Sequence, residues 1–211
     1  MADGPLVAVL DYGIGNLRSA QKALEKVGAD ARLTTDRGLI ADAAGIVLPG
    51  VGAFGRCMEA LGDAGLTDIA HEAAAAAAAG EGRPFLGVCV GMQMLFDGSD
   101  ESPGVAGLGV LGGQIRLIPD GVKRPQMQWN VLDWAKPTLL AAGQPDPAWV
   151  YFVHSYWAEV TDPADVAATC DYGTTVTAAV QREHLWATQF HPEKSATNGL
   201  QLLETFIATC R

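Results

Sequence analysis

The sequence has no CxxC pair, no run of basic residues, no repeat, and no apolar stretch near the ~18 residues needed to cross a membrane. Cys57, Cys89, Cys170 and Cys210 are scattered singly, which argues against a zinc ribbon or a redox dithiol. The first residues, Met-Ala-Asp-Gly-Pro, lack the basic and apolar segments of a signal peptide, so a cytoplasmic location with reduced thiols is expected. Basic residues are few: 14 Lys and Arg against 24 Asp and Glu leave a net charge of −10. Such a chain is a poor electrostatic match for nucleic acid or anionic lipid.

Small residues are plentiful instead. There are 25 glycines among 211 residues, and Ala73–Ala79 is uninterrupted. The length suits one domain over 1–211 with a sizeable core, and residues 1–5 are expected to be disordered. Leu6–Leu10, Ala31–Thr34, Gly45–Leu48 and Pro84–Cys89 read as strands, with helical patterns at Asn16–Val27 and Phe54–Ala79 between them and a further helix starting at Met92–Phe96. That alternation predicts an α/β fold: an open, mixed, largely parallel sheet flanked by helices. Beyond Val105 the strand candidates crowd together (Gln114–Ile118, Trp129–Leu132, Trp149–Val160, Val166–Cys170, Thr175–Gln181 and Leu185–Phe190). They predict an antiparallel C-terminal portion, closed by an amphipathic helix over Gly199–Cys210.

Three constellations carry chemistry. Gly87-Val88-Cys89-Val90-Gly91 lies where a buried strand turns into a helix, the setting of a nucleophile elbow, with glycines where Cβ atoms would clash. The helix N-terminus behind it favours a thiolate and supplies N–H donors. A thiol nucleophile needs a base with an orienting partner. Of the four histidines, His71 and His184 read as solvent-facing. His191, in Gln189-Phe190-His191-Pro192-Glu193, follows a strand and has a carboxylate two residues on, and both side chains are expected to face one cleft. Pro49-Gly50-Val51-Gly52-Ala53-Phe54-Gly55 contains a literal GxGxxG. It does not follow the first strand, and Glu72, about where the ribose acid belongs, falls inside a helix, so a dinucleotide site is disfavoured. The other use of those glycines is to bring backbone N–H groups to an oxyanion beside Cys89.

Together these motifs resemble the class I, triad-type glutamine amidotransferases, over nearly the whole chain. Asp11–Ser19, Met127-Gln128-Trp129-Asn130 and Tyr151–Tyr156 are similar to the branch formed by the glutaminase subunits of imidazole glycerol phosphate synthase. The resemblance implies Cys89 as nucleophile, His191 as acid and base, and Glu193 as its orienting carboxylate. It implies oxyanion donors at Val90 and, after a backbone rearrangement, Val51. Gly50, Gly52, Gln93, His154, Ser155 and Tyr156 match substrate-pocket positions, and Asn16, Trp129, Tyr151 and Lys194 match an interface with a (β/α)8-barrel synthase (cyclase) subunit. It implies glutamine as substrate and neither cofactor nor metal. Two positions depart from the branch: Gln126 and Gln128 stand where histidine and glycine are common. A glutaminase of another pathway, a DJ-1-like cysteine hydrolase and a non-catalytic regulatory module are the alternatives.

Overall fold

A computed structural model describes residues 4–210, so residues 1–3 of the expected disordered stretch lie outside the described residues; Pro5 accepts a hydrogen bond from the Asp30 N–H. Leu6–Leu10 forms β1, apolar and almost wholly buried, as a strand covered on both faces must be. Helix α1 (Leu17–Lys26) buries Leu17, Ala20, Ala23 and Leu24, one helical stripe, and Gly28, at φ +97°, turns the chain into β2 (Asp30–Thr34). Helix α2 (Arg37–Asp42) starts where the Asp36 carboxylate accepts the Leu39 N–H at 2.9 Å. Strand β3 (Gly45–Gly50) follows, every residue buried.

The segment Phe54–Ala79 is two helices, α3 (Phe54–Asp63) and α4 (Thr67–Ala78), because Gly65 at φ +67° breaks the run. The alanines of α4 are not all surface: Ala70, Ala74 and Ala77 are fully buried. Strand β4 (Phe85–Cys89) leads into a single helical turn, α5 (Val90–Gln93). The chain then forms β5 (Gly98–Ser99), β6 (Gly113–Leu117), β7 (Gln126–Trp134), β8 (Ala148–His154), β9 (Tyr156–Val160), β10 (Val166–Asp171), β11 (Thr175–Arg182) and β12 (Leu185–Thr188). The last helix, α6 (Ala196–Thr209), packs Phe206 edge-on against Trp186, ring centroids 5.8 Å apart.

Nine strands form one sheet in the order β2-β1-β3-β4-β12-β11-β10-β7-β8. The five from β2 to β12 are parallel, and the four beyond are antiparallel. This is the expected division except at β12, expected among the antiparallel strands: it runs parallel to β4 and antiparallel to β11, and so is the seam between the halves. The continuous strand expected over Trp149–Val160 is split at Ser155. Its second part, β9, leaves the large sheet and pairs with β6 in a small three-stranded sheet, β5-β6-β9. That departure opens the space above the ends of β4 and β12, where ligands sit in open α/β sheets. No helix among the described residues is long and apolar enough to cross a membrane.

Candidate active site

Cys89 closes β4 with φ 55° and ψ −110°, a left-handed conformation rare for a residue with a side chain. Its glycine neighbours make that turn possible. A Cβ on Gly91 would lie 1.8 Å from the Leu48 carbonyl oxygen, and one on Gly87 would lie 3.0 Å from that of Gly91. A Cβ on Gly50 would meet the Gly91 nitrogen at 2.6 Å. Strand β3 and the elbow therefore touch backbone to backbone. The helix behind Cys89 is shorter than its sequence suggests. Only four residues are helical, so its dipole is small and its contribution is the N–H groups of its first turn.

His191 follows β12 through Gln189 and Phe190. Its N–H donates to the Tyr151 carbonyl at 3.1 Å, and its own carbonyl accepts the Ser195 hydroxyl at 2.7 Å. The Ser195 hydroxyl in turn accepts the Tyr151 N–H at 2.9 Å. These three bonds hold the His191 backbone in place, and the ring itself is oriented by Glu193. Nδ1 lies 2.8 Å from Glu193 Oε1, and both side chains are almost fully buried. Nε2 has no hydrogen-bond partner among the described residues. Burial on its own would lower the ring's pKa; the Cys89 thiol and then the Glu193 carboxylate outweigh it and raise the value to about 10.

A cleft of about 400 Å³ opens over these groups, and Cys89, Val51, Gly52, Val90, Gln93, His154, Ser155, Tyr156 and His191 are among its walls. Asn16 and Lys194 line it as well. Glu193 does not face the cleft with His191: it sits behind the ring among Leu24, Val88 and Leu203, because the three-residue turn Pro192–Lys194 folds its carboxylate back on Nδ1. Gly50 packs beneath the floor, against the elbow. Trp129 and Tyr151 lie apart from the cleft on the outer face of the β7–β8 hairpin, paired in register, with ring centroids 6.0 Å apart. Trp129 is 44% exposed and Met127 60%, so this hairpin face is apolar and uncovered. His71 and His184 are exposed, as expected.

The pocket's polar groups are held in set orientations. The buried Gln93 amide donates to the Tyr156 carbonyl at 3.0 Å and to Gln189 Oε1 at 3.1 Å. His154 Nδ1 lies 2.9 Å from the same Tyr156 carbonyl, which requires it to be the protonated nitrogen. Burial, with a smaller push from His191, lowers this ring to about 4 against the pull of that carbonyl. His154 is therefore neutral, and its buried Nε2 is an acceptor without a partner among the described residues.

Glu101 was missed in the sequence. Its carboxylate lines the cleft and accepts the Phe54 N–H at 2.7 Å, while Ser102 accepts that of Gly55 at 3.0 Å. Ala53 gives α3 no side-chain cap, so these two residues, 47 positions away, supply it. The only sequence signal is that capless start. Gln126, at the other departing position, is fully buried with its amide 3.8 Å from the Cys170 sulfur, whereas Gln128 is exposed.

A thiol on a strained elbow, beside an imidazole whose far nitrogen is held by a carboxylate, is equipped for acyl transfer. Residues 8–210 match the model of the glutamine amidotransferase class-I family, and the chain belongs to that family. Within it, the sequence is 44% identical to imidazole glycerol phosphate synthase subunit HisH of Methanothermobacter thermautotrophicus, over 98% of this chain and all of that one. It is 46% identical to the subunit of the same name from Synechococcus elongatus, over 98% of this chain and 94% of that one. Among solved structures, a glutamine amidotransferase superposes with a TM-score of 0.74 at 19% identity, covering 97% of this chain and 98% of the other. PurLQS from Thermotoga maritima gives 0.73 at 19% identity, covering 99% and 100%. At that identity the likeness is one of fold.

Proposed function

We propose that the chain, a single domain, is the glutaminase subunit of an imidazole glycerol phosphate synthase. The observation that carries the chemistry is the meeting of Cys89 and the unpartnered Nε2 of His191 in one cleft.

The reaction runs in two halves. The Cys89 thiolate adds to the side-chain amide carbon of glutamine, and the carbonyl electrons move to oxygen. The Val90 N–H, and the Val51 N–H once its backbone has rearranged, hold that oxyanion. The His191 imidazolium gives its Nε2 proton to the amide nitrogen, the C–N bond breaks, and ammonia leaves a Cys89 thioester. Neutral His191 then takes a proton from water, hydroxide adds to the thioester carbon, and loss of the thiolate releases glutamate and restores the starting ion pair. Glu193 keeps the proton-transferring nitrogen on the Cys89 side and stabilises the charged ring. Gln93, Gly52, His154, Ser155 and Tyr156 shape the pocket. The Glu101 carboxylate, on its wall, suits the α-ammonium group of the substrate.

Ammonia in bulk water is mostly ammonium and no nucleophile, so its use calls for a dry passage into a second active site. The reading assigns that site to a (β/α)8-barrel synthase subunit docked over Asn16, Lys194, Trp129 and Tyr151, which converts PRFAR to imidazole glycerol phosphate and AICAR. Support comes from the named relatives, from the uncovered apolar hairpin face, and from a net charge that leaves a protein partner open. The test is glutamine hydrolysis with and without that subunit and PRFAR, alongside covalent labelling by 6-diazo-5-oxo-norleucine. Labelling lost in Cys89→Ala and hydrolysis stimulated by the loaded partner are expected. An unlabelled wild-type protein refutes the glutaminase, and a free chain as active as the complex refutes the coupling.

A further inference from the structure

Two buried donors, neither used by the mechanism above, converge on the segment Pro49–Val51. The Tyr12 hydroxyl, on the turn after β1, donates to the Pro49 carbonyl at 2.5 Å. The Cys57 thiol, one turn into α3, donates to the Val51 carbonyl at 3.3 Å. Tyr12 is 5% exposed and Cys57 wholly buried, so neither carbonyl has water as a substitute. The two bonds fix the peptide units 49–50 and 51–52. The unit between them, Gly50–Val51, is bound by neither, and it carries the Val51 N–H.

We infer that Tyr12 and Cys57 are positioning residues for the oxyanion donor: a two-point clamp that confines backbone rearrangement to the single Gly50–Val51 peptide and keeps that peptide over Cys89. The inference rests on the glutaminase reading and adds two residues to it. Rotation of one peptide between fixed neighbours needs only ψ of residue 50 and φ of residue 51 to change in opposite senses. Gly50 tolerates such a change most cheaply, having no side chain. Its bare Cα also leaves room for both neighbours, since a Cβ there would stand 2.6 Å from the Gly91 nitrogen and 3.0 Å from the Tyr12 hydroxyl oxygen. The donors also interact with each other, and burial foremost holds both the phenol and the thiol above their ordinary pKa, which keeps them protonated. Pro49 contributes by having no N–H, so its carbonyl is the only hydrogen-bonding group it can offer to a neighbour.

The test compares Tyr12→Phe, Cys57→Ala and Cys57→Ser in the complex with the synthase subunit, measuring kcat and KM for glutamine hydrolysis and the rate of Cys89 alkylation by iodoacetamide. Alkylation forms no oxyanion, so it reports the elbow and its thiol but not the donor. Tyr12→Phe and Cys57→Ala are expected to lower kcat about tenfold each, a fraction of the 10²–10³ that follows outright loss of one donor. KM and the alkylation rate are expected to stay within about twofold, and Cys57→Ser, which keeps a hydroxyl donor, to recover most of the loss. Wild-type kcat in both deletion variants overturns the clamp while leaving the glutaminase standing, as does a fall in kcat matched by a fall in alkylation. A wild-type complex that does not hydrolyse glutamine overturns both.

Discussion

Gly91→Ala is the sharpest geometric test of the site. The new methyl would lie 1.8 Å from the Leu48 carbonyl oxygen, whereas real Cβ atoms essentially never come within 3.0 Å of a neighbour. The elbow and β3 must then part by at least 1.2 Å, the difference between those two distances. The obstacle is backbone within a fully buried strand, so no side chain can swing aside to absorb it. Cys89 rides on one side of that gap and Val51 on the other, and misplacement of reacting groups by about 1 Å costs roughly 10² in rate. A fall in kcat of about 100-fold or more is expected. Gly65→Ala, in the turn between α3 and α4 and outside the cleft, is the control. Its Cβ would point into open space, leaving only the strain of φ +67°, about 1–2 kcal/mol. Both proteins would be assayed for glutamine hydrolysis in the complex after thermal melts establish that they fold. Gly91→Ala retaining a kcat within threefold of wild type, or falling no further than Gly65→Ala, would refute the argument that close backbone approach sets the site.

Removing the charge in Glu193→Gln should lower the His191 ring from about 10 toward its ordinary 6.5 and cut kcat by at least about 100-fold, toward the 10⁴ seen when a triad carboxylate is neutralised. Because the folded value lies above the unfolded one, the charged ring stabilises the fold fully below pH 6.5 and loses that contribution as pH rises through about 10; NMR titration of the ring and urea melts against pH follow both effects. Arg182→Ala would strand the buried Asp165 carboxylate, which Arg182 holds through two bonds of 2.9 and 2.5 Å. The partner being about a third exposed, the loss is expected near the lower end of roughly 3–5 kcal/mol in urea unfolding, and a loss below about 1 kcal/mol would contradict it. Trp129→Ala should weaken binding to the synthase subunit by about 2 kcal/mol, some 30-fold in Kd by calorimetry, while leaving the melting temperature of the free chain unchanged.

Residues whose environment is dictated locally were legible in the sequence. Leu6–Leu10 is buried on both faces, so its apolar run marks both ends of β1. Cys89 announced itself because an elbow requires glycine at 87 and 91, and His191 because a strand end, a proline and an acid stand together. What escaped was set by distant partners. Glu101 caps a helix 47 residues away and reads in sequence as an ordinary surface acid. Glu193 was recognised but aimed wrongly, since residue spacing alone does not say that the turn after Pro192 folds back on the ring. The run Trp149–Val160 has one continuous strand pattern, and only the pairing of β9 with β6 divides it. Cys57 and Tyr12 gave no signal, because a single cysteine and a single tyrosine are ordinary core residues until the carbonyls they meet are known.

The position of β12 has a consequence for how the protein is made. It is the last strand in the chain, yet it fills the slot between β4 and β11 near the middle of the sheet. Until residues 185–188 have left the ribosome, β4 has no partner on that side, and five buried-type residues, Phe85–Cys89, are presented as an open edge. Such edges template pairing with other chains. The reactive thiol stands at the tip of that edge, and His191 arrives only with the strand that closes it. The nascent chain therefore has its nucleophile before its base, and the two meet in the same step that seals the sheet.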